Sequence, residues 1–320
     1  MPNETLLHRI FKETDLTRCW QCLELNTIGI LGNDPSQKEG EGVSEITLML
    51  DRLWLIPVGF LVGTYGTLVG AGGGFVLVPM LLLLYPQESP EVITSISLAV
   101  VFFNALSGSI AYMRLKRVDY RSGLLFAAAT IPGAILGALT TSVIPRPLFD
   151  IFLGVLLIGA SLFLVFHRDK KTEDKGSELP GCLVRNLVEA DGTAHTFSYS
   201  PTVGVGLSLI VGYVSSLLGI GGGIIHVPAL VHLLNFPVHV ATATSHFILA
   251  FMALTGTGVH IAMGAFHHGI RRTIALAIGV LIGAQLGALL SNRIKGIWII
   301  RSLAIALGLV GIRILILSCT

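Results

Sequence analysis

The chain has 320 residues, of which 52% are hydrophobic and only 12% charged, with a formal net charge of +2 and a mean hydropathy of +0.78. Soluble domains carry about 25% charged residues, so the composition excludes a soluble globular fold and reads as a polytopic membrane protein. No basic stripe is interleaved with aromatics, which excludes nucleic acid as a partner.

Residues 1–52 form a polar N-terminal tail rich in acids (Glu4, Glu13, Asp15, Glu24, Asp34, Glu39, Glu41, Glu45, Asp51). It has no apolar segment behind a basic start, so it does not read as a signal peptide. A short helix near 6–25 is the plain expectation. Four cysteines are too few for a disulfide framework. Cys19 and Cys22 make one CxxC around Trp20 and Gln21, but structural zinc needs four ligands, and no second pair is placed to complete it. The thiols read as incidental, and neither metal nor cofactor is expected.

Eight apolar blocks follow, at roughly 53–85, 92–113, 123–144, 148–166, 201–235, 240–263, 272–290 and 297–317. Runs of this length with almost no charge are transmembrane-helix signatures. The fold class is therefore all-α, with about eight transmembrane helices in two four-helix repeats, 53–166 and 201–317. Residues 167–200 carry Arg168, Lys170, Lys171, Lys175 and Arg185 among acids, glycines and prolines. They read as a solvated cytoplasmic linker.

A glycine-rich motif occurs in the first and fifth blocks, about 149 positions apart. Gly70-Ala71-Gly72-Gly73-Gly74 leads to Pro79, and Gly219-Ile220-Gly221-Gly222-Gly223 leads to Pro228. Three successive glycines are the worst interior for a lipid-embedded helix, and unwound backbone at membrane depth survives only where protein buries it or a cavity is lined by it. Paired interruptions in two halves of a chain point to a transporter's substrate site. The first and fifth helices are therefore expected to break there. As single helices, about 33 residues would span ~50 Å against a core of ~30 Å. Oblique continuation beyond the break and a re-entrant hairpin both fit. The hairpin would change the crossing count and could invert one half relative to the other.

Further matches support an internal duplication. Thr94-Ser95 aligns with Thr244-Ser245, Ala105–Ser109 with Ala253–Thr257, and Pro132–Leu139 with Ile282–Leu289, all at offsets of 148 to 150. Orientation follows from Lys and Arg in short loops. Arg114, Lys116, Arg117 and Arg121, the linker, and His267, His268, Arg271 and Arg272 are expected on one side with both termini, which makes that side cytoplasmic. Loops 86–91 and 236–239 lack Lys and Arg, and Arg293 and Lys295 fall on the other side beside Arg146.

At such a break a half-helix starting near Phe75 or Ile224 offers free N–H groups and the positive end of its dipole, and glycine lets an anion approach the backbone. Two such ends facing each other would hold an anion without a buried cation, with Gly72, Gly73, Gly74, Gly221, Gly222 and Gly223 as the binding backbone. The competing reading is helix packing, which small-xxx-small spacing supports at Gly59/Gly63, Gly66/Gly70, Gly133/Gly137 and Gly283/Gly287. A nucleotide-binding reading fails for want of a βαβ context. Thr94, Ser95, Thr244 and Ser245 can donate to an oxyanion or bond back to their own helix, and Asn104 and Gln285 are weaker candidates of the same kind. Among the histidines, His246 directly follows Thr244-Ser245 and suits substrate or proton handling. His226 follows the second break and is the weaker choice, while His232, His239 and His260 carry little. His267-His268 is not a metal site by spacing. Neither HExxH nor GxSxG is present, and acids do not pair at membrane depth, so an enzyme is not expected.

On these residues the chain resembles the TauE/SafE sulfite exporter family, also called the toluene sulfonate uptake permease family. The resemblance rests on Gly70–Pro79 and Gly219–Pro228 in duplicated halves, on Thr94-Ser95 and Thr244-Ser245-His246, and on Gly-Ala-x-Leu-Gly-Ala at 133–138 and 283–288. It covers roughly 53–317 and leaves out the tail. It implies secondary transport of sulfur-containing anions, such as sulfite or organosulfonates, across a bacterial inner membrane with protons as the coupling ion. The implied partners are a small anion, protons, the lipid bilayer and, as a homo-oligomer, further copies of the chain. An anion channel is one alternative. A membrane thiol-redox protein is another, but Cys19, Cys22 and Cys182 lie outside the apolar blocks and Cys319 is at the extreme C-terminus.

Overall fold

Each apolar block yields a helix, and the two glycine-bearing blocks yield two apiece. The computed structural model describes residues 53–166, 182–266, 269–291, 293–294 and 296–318. The expectations for the tail with its CxxC, for 167–181, and for His267, His268, Lys295 and Cys319 lie outside the described residues. The helices are α1 (Leu55–Val69), α2 (Gly74–Leu84), α3 (Pro90–Arg114), α4 (Tyr120–Thr141), α5 (Arg146–Phe166), α6 (Pro201–Leu218), α7 (Gly223–His232), α8 (Val238–Ala262), α9 (Ile270–Ser291) and α10 (Gly296–Ser318). Local chemistry fixes several starts. Ser89 Oγ accepts the Val92 amide ahead of Pro90, and Asp119 Oδ1 accepts the Ser122 amide, the side-chain capping that a helix N-terminus requires. Seven of the helices (α3, α4, α5, α6, α8, α9 and α10) are long and apolar enough to cross a membrane, while α1, α2 and α7 are shorter.

The chain turns back at both glycine breaks. In a continuous helix Gly73 would lie about 16 Å beyond Val62, yet a side chain at Gly73 would meet Val62 Cγ1 at 2.7 Å, and the Tyr65 and Phe75 rings are 6.0 Å apart. Likewise His226 Nε2 lies 3.2 Å from Ser208 Oγ, across eighteen residues that would extend about 27 Å as a helix. Both broken elements are therefore hairpins, α1–α2 and α6–α7, and the oblique continuation is not what the chain adopts.

Packing runs across the two halves rather than within them. A side chain added at Gly59 or Gly63 of α1 would strike Leu276 or Val280 of α9, and additions at Gly279, Gly283 and Gly287 would strike α1 backbone at Ile56–Phe60, Phe60–Thr64 and Thr64. Numbers rise together along the two helices, so they run parallel. The same arrangement holds α4 on α6, with Gly133 and Gly137 against Leu209, Tyr213 and Leu217. Close backbone approach through small residues is how helices associate where lipid offers no hydrophobic driving force.

Equivalent helices of the two halves run in opposite directions. In α3 and α8, Gly108 faces His246 whereas Gly256 faces Leu98, so one number falls as the other rises. In α5 and α10, Gly154 faces Leu315 while Gly311 faces Leu157 and Ile158. Antiparallel equivalents make the halves inverted repeats. The inversion redistributes the loops. Arg272 binds Glu88 at 2.8 Å and covers the Tyr85 ring at 3.8 Å, and Arg146 donates to Leu82 O and Glu88 O. At the opposite end, Arg117 donates to Ser291 Oγ. The loop 263–269 therefore lies at the end opposite the loop 115–119, and the grouping of both with the linker on one side does not hold. Leu55 and Ser318 still share one end, the one carrying Arg146 and Arg272.

Within the stretch read as a solvated linker, β1 (Leu183–Val188) and β2 (Ala194–Tyr199) pair antiparallel, Leu183 opposite Tyr199 and Val188 opposite Ala194. Gly192 turns the hairpin at φ +89°, and the Thr193 amide bound to Asp191 Oδ1 at 2.9 Å holds that carboxyl below its ordinary pKa. Phe197 and Tyr199 are buried against Phe126, Leu234, Phe236 and Val240. Arg117 pairs with Glu189, which also meets His195 Nε2 at 2.9 Å; Arg185 lies 3.7 Å from Asp119, and the Ala190 amide donates to Leu115 O. The hairpin is thus bolted to one end of the helices. Alternation in Val184–Val188, an Asp-Gly turn and Phe197-Ser198-Tyr199 were its sequence signals.

Gly283→Val would drive a branched side chain into the Phe60–Thr64 backbone and is expected to destabilise by at least about 1–3 kcal/mol. Gly258→Ala, with nothing within 4 Å of the added carbon, should leave the melting curve unchanged. Thermal melting of the purified proteins, followed by size-exclusion retention, compares the two.

Candidate functional site

Every glycine of the duplicated motif has its own physical reason. Gly70, Gly72 and Gly73 have φ of +81°, +72° and +80°, and Gly219, Gly221 and Gly222 have +68°, +80° and +58°. The first of each set ends a helix in the left-handed conformation, and the next two carry the chain around the reversal, positions where a side chain would be strained. The fourth glycine, the last residue of each motif, serves contact. A side chain at Gly74 would strike the Gly219 and Ile220 carbonyl groups, and one at Gly223 would strike Gly70 and Ala71.

The two breaks therefore meet backbone to backbone, but not positive end to positive end. The N-terminus of α2 abuts the carbonyl end of α6, and the N-terminus of α7 abuts the carbonyl end of α1. Opposite partial charges of the two hairpins face each other, which corrects the expectation of two positive ends facing across an anion. Val101 and Leu249, both fully buried, fill the crossing: Gly72 lies against both and Gly221 against Val101. Gly72, Gly73, Gly74, Gly221, Gly222 and Gly223 are brought together by packing on protein. A cavity of about 180 Å³ lined by Leu115, Arg117, Glu189, Ala190 and Asp191 lies under the β-hairpin, away from this crossing.

Of the hydroxyls singled out in the sequence, three are engaged. Ser95 Oγ donates to Val92 O of its own turn, Thr244 Oγ1 accepts the Asp119 amide, and Ser245 Oγ donates to Gly70 O. Thr94 is buried against Gly219 with its hydroxyl unpartnered. Ser245 has a counterpart that the sequence reading missed: Ser97 Oγ donates to Gly219 O at 2.6 Å. Helices α3 and α8 correspond at an offset of 148, so Thr94 answers to Thr242, which packs on Gly70, and Ser97 to Ser245. The alignment of Thr94-Ser95 with Thr244-Ser245 is two residues out of register. The correct offset was already present in the match of Ala105–Ser109 with Ala253–Thr257.

Two polar clusters flank the crossing at equivalent positions. In the first, the Thr67 hydroxyl donates to Asn104 Oδ1 at 3.1 Å and lies 3.2 Å from His246 Nε2, Tyr112 donates to Thr67 O at 2.7 Å, and its ring meets the His246 ring edge-on at 5.8 Å. In the second, the corresponding residues are Ser216, Met252, His260 and Leu98. Its polar side chains are buried and none has a hydrogen-bond partner: Ser215, Ser216, Thr257 and both ring nitrogens of His260. His260 carried little weight in the sequence, and Ser215 and Ser216 none. Gln285 bonds to Ser107, and His226 to Ser208.

Comparison with known proteins decides the class. Residues 55–314 match the family described as Sulfite exporter TauE/SafE. The chain belongs to that family. Among curated relatives, the "Probable membrane transporter protein YunE" of Bacillus subtilis is 33% identical over 267 residues, covering 82% of this chain and 96% of that protein. A "Probable membrane transporter protein" of Methanocaldococcus jannaschii is 23% identical over 288 residues, 85% of this chain and 99% of its own length. One from Xylella fastidiosa is 27% identical over 242 residues, 75% and 85% respectively. No solved structure matches. This TauE/SafE member is a multi-span membrane transporter, and both breaks lie within its family-matching region.

Ser97 and Ser245 hold the carbonyls at which the two helices stop. Ser97→Ala leaves the Gly219 carbonyl buried without its hydroxyl and is expected to cost about 1–3 kcal/mol, read as a lowered melting temperature with unchanged transport KM. A raised KM at an unchanged melting temperature would make Ser97 a substrate ligand instead.

Proposed function

We propose that this TauE/SafE protein is a secondary transporter for small sulfur-containing anions, sulfite or an organosulfonate, across a bacterial inner membrane. One observation carries the reading: two inverted hairpins, unwound at glycine, cross amid buried hydroxyl and imidazole groups. Membrane-buried polar groups mark substrate pathways, and inverted repeats with broken helices are the architecture of alternating access around a central site. Among the described residues, the crossing glycines and the two flanking clusters contain no Asp or Glu. That favours an anion over a cation. The unwound segments at Gly72–Gly74 and Gly221–Gly223 supply the hinge about which the halves exchange, and Thr94 adds a free hydroxyl beside the second break. Ser95, Thr244 and Ser245 support the surrounding backbone. We assign proton coupling to His246, whose Nε2 lies within hydrogen-bond distance of Thr67.

The reading is tested by reconstituting the full chain in liposomes and following uptake of labelled sulfite, methanesulfonate and acetate. Saturable uptake of the sulfur anions, enhanced by an imposed proton gradient and exceeding acetate uptake, is expected. Uptake that follows only the anion's own gradient would make the protein a channel.

The positive-inside rule applied to the observed ends gives a second expectation. Arg114, Lys116, Arg117, Arg121 and Arg185 lie at the β-hairpin end, which we therefore place in the cytoplasm, with Leu55 and Ser318 toward the other face. In a background lacking the native cysteines, Asp191→Cys should react with an impermeant thiol reagent only from the cytoplasm and Met263→Cys only from outside. The reverse pattern would invert the assignment.

A further inference from the structure

The flanking clusters occupy equivalent positions but differ in one respect that bears on the substrate. Around Thr67, each of Thr67, Asn104, Tyr112 and His246 makes at least one hydrogen bond within the protein. Around Ser216, none of the four polar side chains makes any. Ser215, Ser216 and His260 are fully buried and Thr257 is 7% exposed, so water does not account for them at the surface. Buried polar groups are satisfied in all but a few cases, and each exception calls for an explanation. Four neighbouring exceptions on two helices, with none bonded to another, point to a group that the protein alone does not supply.

Geometry gathers them. A side chain at Gly256 would meet Ser216 Oγ at 2.6 Å and Leu98 Cδ1 at 2.8 Å, so Ser216 sits directly over that glycine. Thr257 is the next residue, and His260 lies one turn further on the Gly256 face. A side chain at Gly222 would meet Ser215 Oγ at 3.0 Å and Met252 Sδ at 3.2 Å, which places the second serine at the start of α7. The polar groups present three O–H donors and an imidazole N–H without a formal charge. Their apolar surroundings are Leu98 and Met252, at the positions that His246 and Asn104 fill in the other cluster.

We propose that Ser215, Ser216, Thr257 and His260 form the oxyanion subsite of this transporter, and that Leu98 and Met252 receive an apolar substituent on the same molecule. The ligand class is a small alkanesulfonate. This rests on the anion-transport reading above and sharpens it by placing the head group on one side of the crossing. Hydroxyls and one imidazole can donate to three sulfonate oxygens at once, and the thioether and leucine exclude a fully hydrated ion. The cluster around Thr67 is the structural counterpart and not a second copy of the site. Its Thr67, Asn104, Tyr112 and His246 are linked to one another by hydrogen bonds and a ring contact, leaving only Asn104 Nδ2, His246 Nδ1 and the neighbouring Ser109 hydroxyl unpartnered.

The test is uptake of labelled methanesulfonate by the full chain in liposomes, with melting temperatures measured in parallel. Thr257→Val preserves shape while removing the hydroxyl, and Ser216→Ala removes another. Each is expected to raise KM about tenfold or more, the effect of losing a hydrogen bond to a charged ligand, without lowering the melting temperature. Thr257→Ser should restore KM to within a few-fold of the parent protein. Ser161→Ala, which removes a bond to Ala304 O in the distant α5–α10 contact, should leave KM unchanged. Should Thr257→Val fail to fold, Ser216→Ala and Thr257→Ser give independent readings. Saturable uptake by the parent protein with KM unaltered in Ser216→Ala and Thr257→Val would overturn the subsite alone. Absence of saturable uptake of any sulfur anion by the parent protein would overturn the transport reading and the subsite with it.

Discussion

Two unwound stretches of backbone can meet inside a bilayer only if each supplies what the other lacks, because lipid offers no hydrogen bonds. Here the N-terminus of one returning half-helix lies on the carbonyl end of the other repeat's broken helix, and the reverse contact completes the pair. Ser97 and Ser245 close the arrangement by donating to the Gly219 and Gly70 carbonyls. Contact this close needs a glycine at 74 and at 223, since a β-carbon at either would strike the facing backbone. The rest of the structure follows from it. The hairpins must reverse, the repeats must invert for the contact to be mutual, and α1 and α6 must find their long neighbours in the opposite repeat.

That cross-repeat exchange has mechanical consequences. Because α1 lies on α9 and α6 on α4, neither half has a complete helix bundle of its own. The shared contacts run along glycine stripes, where backbone meets backbone with few interlocking side chains. Surfaces of that kind can slide or rock without unpacking large residues. The β-hairpin acts differently, since Arg117, Glu189, Arg185 and Asp119 tie it to the α3–α4 loop. Separating one of these buried pairs would leave an uncompensated charge, which opposes detachment of the hairpin from this end.

Inverted repeats begin as equals, and the polar clusters show where equality has been lost. Positions equivalent by offset hold Asn104 and Met252, Tyr112 and His260, and His246 and Leu98. In one cluster Thr67, Asn104, Tyr112 and His246 each make at least one hydrogen bond within the protein, and in the other no polar side chain does, its donors lying beside Leu98 and Met252. A substrate with distinct ends needs such asymmetry, because a symmetric pocket would bind it in two orientations.

The sequence alone determined the membrane class, the apolar blocks, the duplication, the breaks at the two glycine motifs and the packing role of Gly59/Gly63, Gly133/Gly137 and Gly283/Gly287, since these depend on local propensity and on spacing along one chain. It also carried the clue to the correct register in Ala105–Ser109 and Ala253–Thr257, which Thr94-Ser95 and Thr244-Ser245 obscured by chance likeness. Tertiary structure decided the rest. Whether a chain continues or reverses after a glycine break depends on what lies beyond it, here another break of matching polarity. Which hydroxyls are occupied depends on the distant carbonyl each one reaches, so Ser97 was silent in the sequence while Thr244 and Ser245 looked free. His260 gained significance only when Ser215, Ser216 and Thr257 proved to be its unpartnered neighbours, because hydrogen-bond satisfaction belongs to the packed neighbourhood and not to the residue.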